Sequence, residues 1–301
     1  MAITSLHSPK RRVRFPPRAK ARGFSRKLMI KLGVHPNFQK KHPPVLAIGG
    51  HDPSGGAGIV ADAQALLGLG AWPLTIISCL TAQNTQLIKQ ISYQPIEALQ
   101  QQLAVLLADF TPAAIKLGVL GNLEVQTLVA QLIKRYPQVP LVVDPVLAST
   151  SGTSFSSEEQ LAHLKQEILP FCTVITPNLN ELEQLVPSKG TIEYKARQLI
   201  KLGCKAVLVT GTHQQKHTVK NLLFTGSTSE PLVNRWQRLE GEFHGSGCTL
   251  ASALAALLAR GEALTQAAVK AQDYTWHSLE KALKLTEGQL LPLRTRDLDH
   301  A

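Results

Sequence analysis

Short runs of apolar, strand-forming residues alternate with longer stretches of helical periodicity from Pro43 onward. Such alternation is typical of a parallel sheet built from strand–helix units. Strands are predicted at residues 45–50, 73–80, 113–118, 140–146, 172–177 and 205–211. The helices that follow them are predicted at about 56–69, 95–109, 122–136, 157–168, 179–186 and 191–203. This succession of units places the chain in the α/β class.

The pattern changes after the last of these units. Residues 217–227 and 230–240 are polar and hairpin-like, and they are predicted to extend one edge of the sheet with antiparallel strands. Two further helices are predicted near 247–260 and 262–285. No repeat of solenoid period and no low-complexity linker interrupts the chain, so residues 43–301 are predicted to form a single domain.

The positive charge is confined to one end of the chain. The formal net charge is +11, yet residues 1–42 hold twelve Lys or Arg and no acidic residue, which leaves 20 basic against 21 acidic residues in the body. A nucleic-acid arm or an Arg-rich transit peptide would carry such charge, but the segment lacks helical apolar periodicity. We expect a disordered basic extension, with Met29 as an alternative start, and no nucleic-acid partner outside this tail.

The cysteines and the apolar runs exclude other classes. Four cysteines are scattered without Cys-x-x-Cys or Cys/His ligand spacing, so neither a disulfide framework nor a zinc site is predicted, and a reducing cytoplasm is inferred. No run approaches the roughly 18 to 20 apolar residues of a membrane span, so no membrane partner is expected.

The segment GGHDPSGGAGIVAD, residues 49–62, follows the first predicted strand and opens a helix. Its glycines allow positive φ and close backbone approach, and amides at a helix start attract anions. An ordinary strand-to-helix turn is the plainer interpretation. A dinucleotide fingerprint is disfavoured because Gly56 lies well past the strand end and no acidic residue follows about 20 residues later. A Walker A loop is excluded because the chain has no Gly-Lys pair.

Polar side chains follow three more predicted strands, at the edge where a parallel sheet binds its ligands. Gln83 and Asn84 offer amides that suit a heterocycle edge, although hydrogen bonding within a loop explains them equally well. Oxygen ligands for a magnesium ion that bridges phosphates are offered by Asp144, Asn178, Glu181 and Glu183. The sequence Thr-Pro-Asn at residues 176–178 also suits a helix cap, so a structural role stays open.

The segment HGSGCTLASALAALLARG, residues 244–261, places small residues before an apolar helix. The amides of Gly245, Ser246 and Gly247 would form an anion hole at the helix start. Cys248 lies in the first turn, where the helix field favours a thiolate that could accept a proton from a substrate hydroxyl. Two alternatives remain open: a buried core cysteine, or a nucleophile and base pair of Cys248 with His244 in a hydrolase.

Taken together, seven stretches resemble the hydroxymethylpyrimidine and phosphomethylpyrimidine kinases of thiamine biosynthesis, which belong to the ribokinase-like superfamily. In chain order they are GGHDPSGGAGIVAD, LTAQNT, IKLGVLG, VVDPVLASTSG, ITPNLNE, VLVTGTH and HGSGCTLASALAALLARG. The resemblance implies a three-layer α/β/α fold with a mostly parallel, doubly wound sheet and antiparallel edge strands. It also implies a cytoplasmic homodimer that transfers the γ-phosphoryl group of ATP, with Mg²⁺, to the pyrimidine alcohol and then to its monophosphate.

The same resemblance implies roles for particular residues. Cys248 takes the place of the catalytic base, and the amides of Gly245, Ser246 and Gly247 form the anion hole. The substrate side comprises Gln83, Gly50, Val119, Asp52 and Asp62. The nucleotide and magnesium side comprises Asp144, Asn178, Glu181 and Thr210, with Glu181 and Asp144 as the metal ligands.

The chain departs from the family pattern at four places, one of which, Ser246 in place of threonine, keeps the hydroxyl. The family commonly has serine or threonine at His51, lysine at Thr150, and Lys-Gly-Gly at residues 210–212. Because two lysines are missing, the negative charge of the phosphates would have to be neutralised by another cation or by more magnesium. A pyridoxal kinase of the same superfamily is the nearest alternative, and Gln83 favours the pyrimidine. A non-catalytic ligand sensor or nucleic-acid-binding protein that uses the basic tail is a remote one.

Overall fold

A single sheet of nine strands runs through the part of the protein that the computed structural model describes, which comprises residues 41–148, 156–211 and 217–295. The strands are β1 Pro44–His51, β2 Trp72–Gln83, β3 Ile88–Tyr93, β4 Ala114–Leu117, β5 Leu141–Val143, β6 Val174–Ile175, β7 Ala206–Val209, β8 Thr218–Thr225 and β9 Leu232–Gln237. Their order across the sheet is β3-β2-β1-β4-β5-β6-β7-β8-β9.

The central strands are parallel and the edges are antiparallel. β1 pairs in parallel with both β2 and β4, and the parallel pairing continues through β5 and β6 to β7. β3 pairs antiparallel with β2 at one edge, and β8 and β9 form an antiparallel pair at the other. The chain therefore leaves β1 towards opposite sides in succession, which makes a topological switch point between β1 and β4.

Eight α-helices connect and cover the strands in the described residues. They are α1 Gly58–Gly68, α2 Ile96–Asp109, α3 Leu123–Ile133, α4 Glu158–His163, α5 Leu179–Leu185, α6 Ile192–Lys201, α7 Ser246–Ala259 and α8 Leu264–Glu280. A π-helical turn, Leu164–Ile168, and a 3₁₀ turn, Leu169–Phe171, follow α4.

Two apolar cores lie on opposite faces of the sheet. Leu46 and Ile48 of β1 pack into the core covered by α2 to α6, whereas Val45 and Ala47 pack into the core covered by α1, α7 and α8. Because successive strand residues point to opposite faces, the continuous apolar run of β1 serves both cores. The result is the α/β/α arrangement with a mostly parallel sheet, so the predicted fold class is confirmed.

The structure corrects several element predictions. β3 was not predicted, because IKQISY has a largely exposed, mixed pattern that resembles a loop. β2 continues to Gln83, so the predicted loop residue Gln83 lies at a strand end. The helix predicted at 157–168 is α only as far as His163 and then continues as the π and 3₁₀ turns, the second of which contains Pro170, a residue without a backbone donor.

Two predictions about the chain as a whole are not tested by this fold. The basic extension at 1–42, with its alternative start at Met29, falls almost entirely on residues 1–40, which lie outside the described residues. The single domain at 43–301 likewise stays a prediction. In the described ranges, no helix is long and apolar enough to cross a membrane.

Candidate functional site

A cavity of about 450 Å³ opens at the carboxyl ends of the central strands, beside the switch point. Its wall contains these residues predicted from the sequence: Gly50, Asp52, Asp62, Gln83, Val119, Asp144, Asn178, Glu181, Thr210, Gly245, Ser246, Gly247 and Cys248. The candidates Asn84 and Glu183 do not line it. Residues up to 198 positions apart in the chain thus meet at one place because parallel strands end at the same edge.

The glycine loop, residues 49–58, forms one wall of this cavity. Gly58 has φ +59°, and a Cβ there would overlap the carbonyl oxygen of Gly50. Asp52 holds the loop closed by accepting hydrogen bonds from the backbone amides of Ser54 (2.8 Å) and Ala57 (2.9 Å). Burial raises the pKa of Asp52, but hydrogen bonds from His244 and Ser54 outweigh it, so the pKa lies below its usual value.

The N-terminus of α7 forms the adjoining wall. Its cap, Gly245, has φ +76°, and a Cβ at this position would overlap the carbonyl oxygen of Gly56 in the glycine loop. As in α1, α2 and α8, no side chain from the described residues caps α7. The first amides of this 14-residue helix therefore lie at the cavity without a capping oxygen, which suits an anion.

Cys248 lies in the first turn of α7, as predicted. Burial raises the pKa of its thiol to about 12, and the positive charge of Lys116 offsets only part of this effect. Burial therefore opposes the thiolate that the position at the helix start favours. The alternative of a buried core cysteine is not supported, because Cys248 is partly exposed while the other three cysteines are buried.

The thiol of Cys248 lies close enough to Asp144 for each group to influence the pKa of the other. The imidazole of His244 instead hydrogen bonds through Nε2 to Asp52 (2.7 Å) and lies 3.2 Å from the amide nitrogen of Gln83. This arrangement gives no support to the Cys248 and His244 pair of a hydrolase. It does bring Gln83 and His244 together on the wall that is predicted to bind substrate.

Two buried carboxyl groups, Asp144 and Glu181, lie on the predicted nucleotide side. Burial raises the pKa of Asp144 to about 6 against the opposing charge of Lys116. Burial, together with the charge of Asp144, raises the pKa of Glu181 to about 7. Proximity of two acids in a low-dielectric site is costly unless a cation joins them, so these oxygens suit a hard metal ion.

Asn178 and Asn84 have the structural roles that were left open. Asn178 caps α5, with its side chain accepting from the amide of Glu181 while Glu181 accepts from the amide of Asn178, both at 2.9 Å. The side-chain oxygen of Asn84 accepts hydrogen bonds from the backbone amides of Gln86 and Leu87 in the turn between β2 and β3. Glu183 is wrong as a metal ligand, because it is exposed and pairs with Lys195 outside the cavity.

Asp62 and Lys116 form a fully buried ion pair at the base of the cavity, with Nζ to oxygen distances of 2.8 and 2.9 Å. Ser252 of α7 donates a third hydrogen bond to Asp62 at 2.8 Å. The carboxylate of Asp62 is thus already engaged by protein groups. Lys116 was not predicted as a site residue, although a lysine inside the apolar strand AIKL was the available signal.

The remaining predicted residues are held by backbone contacts. Gly50 lies against Cys79, where a Cβ would be 3.1 Å from the sulfur, and the carbonyl of Val119 accepts a hydrogen bond from Ser78. The amide of Thr210 donates to Pro177, and that of Gly211 donates to Asn221 at 2.9 Å. The departures at Thr150 and Thr212 lie outside the described residues.

These features define the protein's class: a ribokinase-like α/β kinase. A family model for phosphomethylpyrimidine kinase matches residues 52–292. The chain therefore belongs to the phosphomethylpyrimidine kinase family.

Individual relatives agree with this assignment. A hydroxymethylpyrimidine/phosphomethylpyrimidine kinase of Bacillus subtilis is 34% identical over 248 residues, which cover 81% of this chain and 91% of the relative. A phosphomethylpyrimidine kinase structure from Clostridium difficile has a TM-score of 0.66 at 29% identity, covering 77% of this chain and 97% of the other. An ADP complex of Bacillus subtilis pyridoxal kinase has a TM-score of 0.75 at 26% identity, covering 84% and 97%. The protein is a kinase that acts on a small molecule and uses ATP.

Proposed function

We propose that this kinase phosphorylates the hydroxymethyl oxygen of 4-amino-5-hydroxymethyl-2-methylpyrimidine and then the resulting monophosphate, in thiamine biosynthesis. The observation that carries the proposal is the uncapped start of α7, which lies in contact with the glycine loop at the cavity. An anion hole in contact with a substrate loop is what transfer of a phosphoryl group to a bound alcohol requires. The family supplies the identity of the alcohol.

The pyrimidine would bind on the side of Gln83, Gly50, Asp52 and Val119. An amide side chain donates and accepts, which matches a ring nitrogen beside an exocyclic amino group. Gln83 ends β2, whereas Asp144 follows β5, three positions along the sheet. This separation leaves room for the alcohol near Gln83 and for the nucleotide phosphates near Asp144, Asn178 and Thr210.

We also propose Mg²⁺ as the metal, held by Asp144 and Glu181. In the described ranges, no group of three or more His, Cys, Asp or Glu side chains is arranged to hold a metal by itself. This fits Mg²⁺ in kinases, which is bound by one or two carboxylates together with phosphate oxygens and water. When bound, the ion would neutralise charge on the phosphates.

In the proposed reaction the hydroxymethyl oxygen forms a new bond to phosphorus as the bond between phosphorus and ADP breaks. The amides of residues 245–247 hold the charge of the transferring group, and the walls of the cavity align the two reactants. The proton of the hydroxyl group passes to the sulfur of Cys248, which lies where the resemblance puts the base, once its thiol has lost its own proton. Charge stabilisation and alignment therefore carry more of the proposal than the base does.

Pyridoxal kinase stays the second candidate, because several structural neighbours are pyridoxal kinases. The two activities are separated by incubating the protein with ATP, Mg²⁺ and each alcohol in turn, with products identified by mass spectrometry. We expect the pyrimidine monophosphate and then the diphosphate. Faster formation of pyridoxal phosphate than of the pyrimidine diphosphate would overturn the choice.

A substitution tests the assignment of Cys248 in the same assay. We expect Cys248→Ala to lower kcat by about 10²-fold to 10⁴-fold, the usual contribution of a positioned proton-transfer group. Cys204→Ala is the control, because Cys204 is buried in the core on the far face and does not line the cavity. Unchanged kcat in Cys248→Ala would remove Cys248 from the mechanism.

Two further features are proposed on the family resemblance: a homodimer and a cytoplasmic location. The free cysteines are compatible with a reducing compartment. The basic tail gives the sensor or nucleic-acid alternative its only support. Removal of residues 1–28 should leave kinase activity unchanged, and loss of activity would assign the tail a part in the enzyme.

A further inference from the structure

The last described segment of the chain, residues 283–295, returns to the active-site cavity. Leu283 and Leu291 exchange two backbone hydrogen bonds, at 2.9 and 3.0 Å. The amide of Leu290 donates to Glu242 at 2.8 Å, and the carbonyl of Leu290 accepts from His244 at 2.9 Å. The segment is therefore bound directly to the residues that precede the anion hole.

Arg294 extends from this segment into the protein and is 3% exposed. Its Nε donates to the hydroxyl of Thr249 in α7 at 2.7 Å, and one terminal nitrogen donates to Gln64 of α1 at 3.0 Å. The terminal nitrogens also reach three backbone carbonyls: Gly55, at 3.4 Å, Gly56, and His244, at 3.3 Å. One guanidinium thus joins the glycine loop, the residue before the anion hole, and two helices.

The contacts of Arg294 are unusual for a buried cation. Every acceptor is an uncharged oxygen, and no carboxylate of the described residues forms an ion pair with it. Burial of a guanidinium is costly, and the charges of Asp62 and Asp52 act on Arg294 only from beyond ion-pair distance.

The geometry around Gly245 supplies a reason to retain the charge. The glycine loop and the start of α7 approach so closely that a Cβ on Gly245 would overlap the carbonyl oxygen of Gly56. The carbonyl oxygens of Gly56 and His244 both accept from the same terminal nitrogen of Arg294. A planar fork with five donors stabilises both oxygens at once, whereas a point charge on a flexible stem does not.

We propose that Arg294 is a positioning residue for phosphoryl transfer, which holds the glycine loop at a fixed distance from the anion hole. Arg294 does not line the cavity and acts through Gly55, Gly56 and His244. This inference rests on the proposed function, because the two walls that it aligns are those that would enclose the alcohol and the transferring phosphoryl group.

The test compares Arg294→Ala and Arg294→Lys with wild type, using ATP, Mg²⁺ and the pyrimidine alcohol. Displacement of catalytic walls by about 1 Å costs on the order of 10²-fold in rate, so we expect kcat of Arg294→Ala to fall by that factor. The KM for ATP should change by less than about threefold, because the residues proposed for the nucleotide lie on other elements. Arg294→Lys should lose less than Arg294→Ala, because it keeps the charge but not the fork.

Arg260→Ala is the matched control. Arg260 also donates a guanidinium hydrogen bond to a backbone carbonyl, that of Leu69, but it does so far from the cavity residues. Its kcat should equal that of wild type. Added guanidinium chloride should partly restore kcat in Arg294→Ala, while urea at the same low concentration should not, because urea is planar but uncharged.

The outcomes separate positioning from bulk stability. Wild-type kcat in Arg294→Ala, or a loss that the unfolded fraction in a thermal melt accounts for, overturns the inference. If Arg294→Ala does not fold, Arg294→Lys is the test variant. A wild-type kcat in Arg294→Lys would then contradict the inference. Failure of wild type to phosphorylate the pyrimidine at all would instead refute the proposed function, so the two failures are distinguishable.

Discussion

At the scale of single residues, Cys248 shows how local position and environment compete. Its place in the first turn of a helix favours a thiolate, yet burial raises its pKa to about 12. Burial dominates here because two acids, Asp144 and Asp62, are near the sulfur and counteract the charge of Lys116.

This balance predicts slow alkylation. At pH 7.5 we expect iodoacetamide to modify Cys248 in the free protein at least about 100-fold more slowly than free cysteine, because only the thiolate reacts. Peptide mass spectrometry after timed quenching measures the rate at this cysteine alone. Modification faster than free cysteine would show that the helix field prevails over burial.

The pKa of Asp52 is lowered, whereas that of Cys248 is raised, and this lowered pKa predicts how the stability of the protein depends on pH. Its folded-state pKa lies below the usual value, so its contribution to stability is present above that value and is lost as pH falls through the folded pKa. Asp52→Asn should lower the free energy of unfolding by about 2 kcal/mol at pH 7, because an amide cannot accept from His244, Ser54 and Ala57 together.

The difference between wild type and Asp52→Asn should be constant from pH 7 to pH 5 and shrink below about pH 4. Urea unfolding curves at a series of pH values measure it. A difference that grows with falling pH would mean that the folded-state pKa of Asp52 is raised instead.

At the scale of elements, the start of α7 depends on glycine at its cap. Gly245 combines φ +76° with a position where a Cβ would overlap Gly56. Gly261, just beyond the other end of α7, has φ +86° but no atom within 4 Å of a Cβ. A substitution at Gly261 therefore causes backbone strain alone, whereas one at Gly245 causes backbone strain and steric overlap.

We expect Gly261→Ala to cost about 1 kcal/mol in stability and leave kcat unchanged, since only the left-handed backbone is strained. Gly245→Ala should lower kcat by at least about 100-fold, because the start of α7 must move away from the glycine loop. Steady-state kinetics and chemical unfolding of both variants test this pair. Equal effects on kcat would show that the contact between the two walls is unimportant.

At the scale of the whole molecule, the Asp62 and Lys116 pair joins three parts of the fold. Asp62 lies on α1, Lys116 on β4 and Ser252 on α7, and all three are fully buried. Lys116→Met should destabilise the protein by about 3 to 5 kcal/mol, because it leaves Asp62 buried without a cation. Urea unfolding measures this loss.

The double variant Asp62→Asn with Lys116→Met is the control, and it should recover much of the stability because no buried charge remains unpaired. A double variant no more stable than Lys116→Met would show that the pair supports the fold by more than charge compensation.

The periodicity of the chain determined most of the architecture. The parallel strands and their helices were predictable because buried strands are continuously apolar and their helices are periodic. β3 was not, because an exposed edge strand carries no strong apolar pattern. The motifs also indicated which strand ends would meet at the cavity, because strand ends can be read from the sequence, but Asn84 and Glu183 do not line it.

Only the tertiary structure decided the burial, the hydrogen-bond partners and the pKa values of those residues. Burial, and not sequence position, sets the pKa of Cys248, and the role of Asn178 as a cap follows from its contacts. His244, Lys116 and Arg294 act on the site from distant positions, through hydrogen bonds that no local pattern encodes. Electrostatic energies depend on distance and exposure in space, so a sequence determines them only through the fold that it adopts.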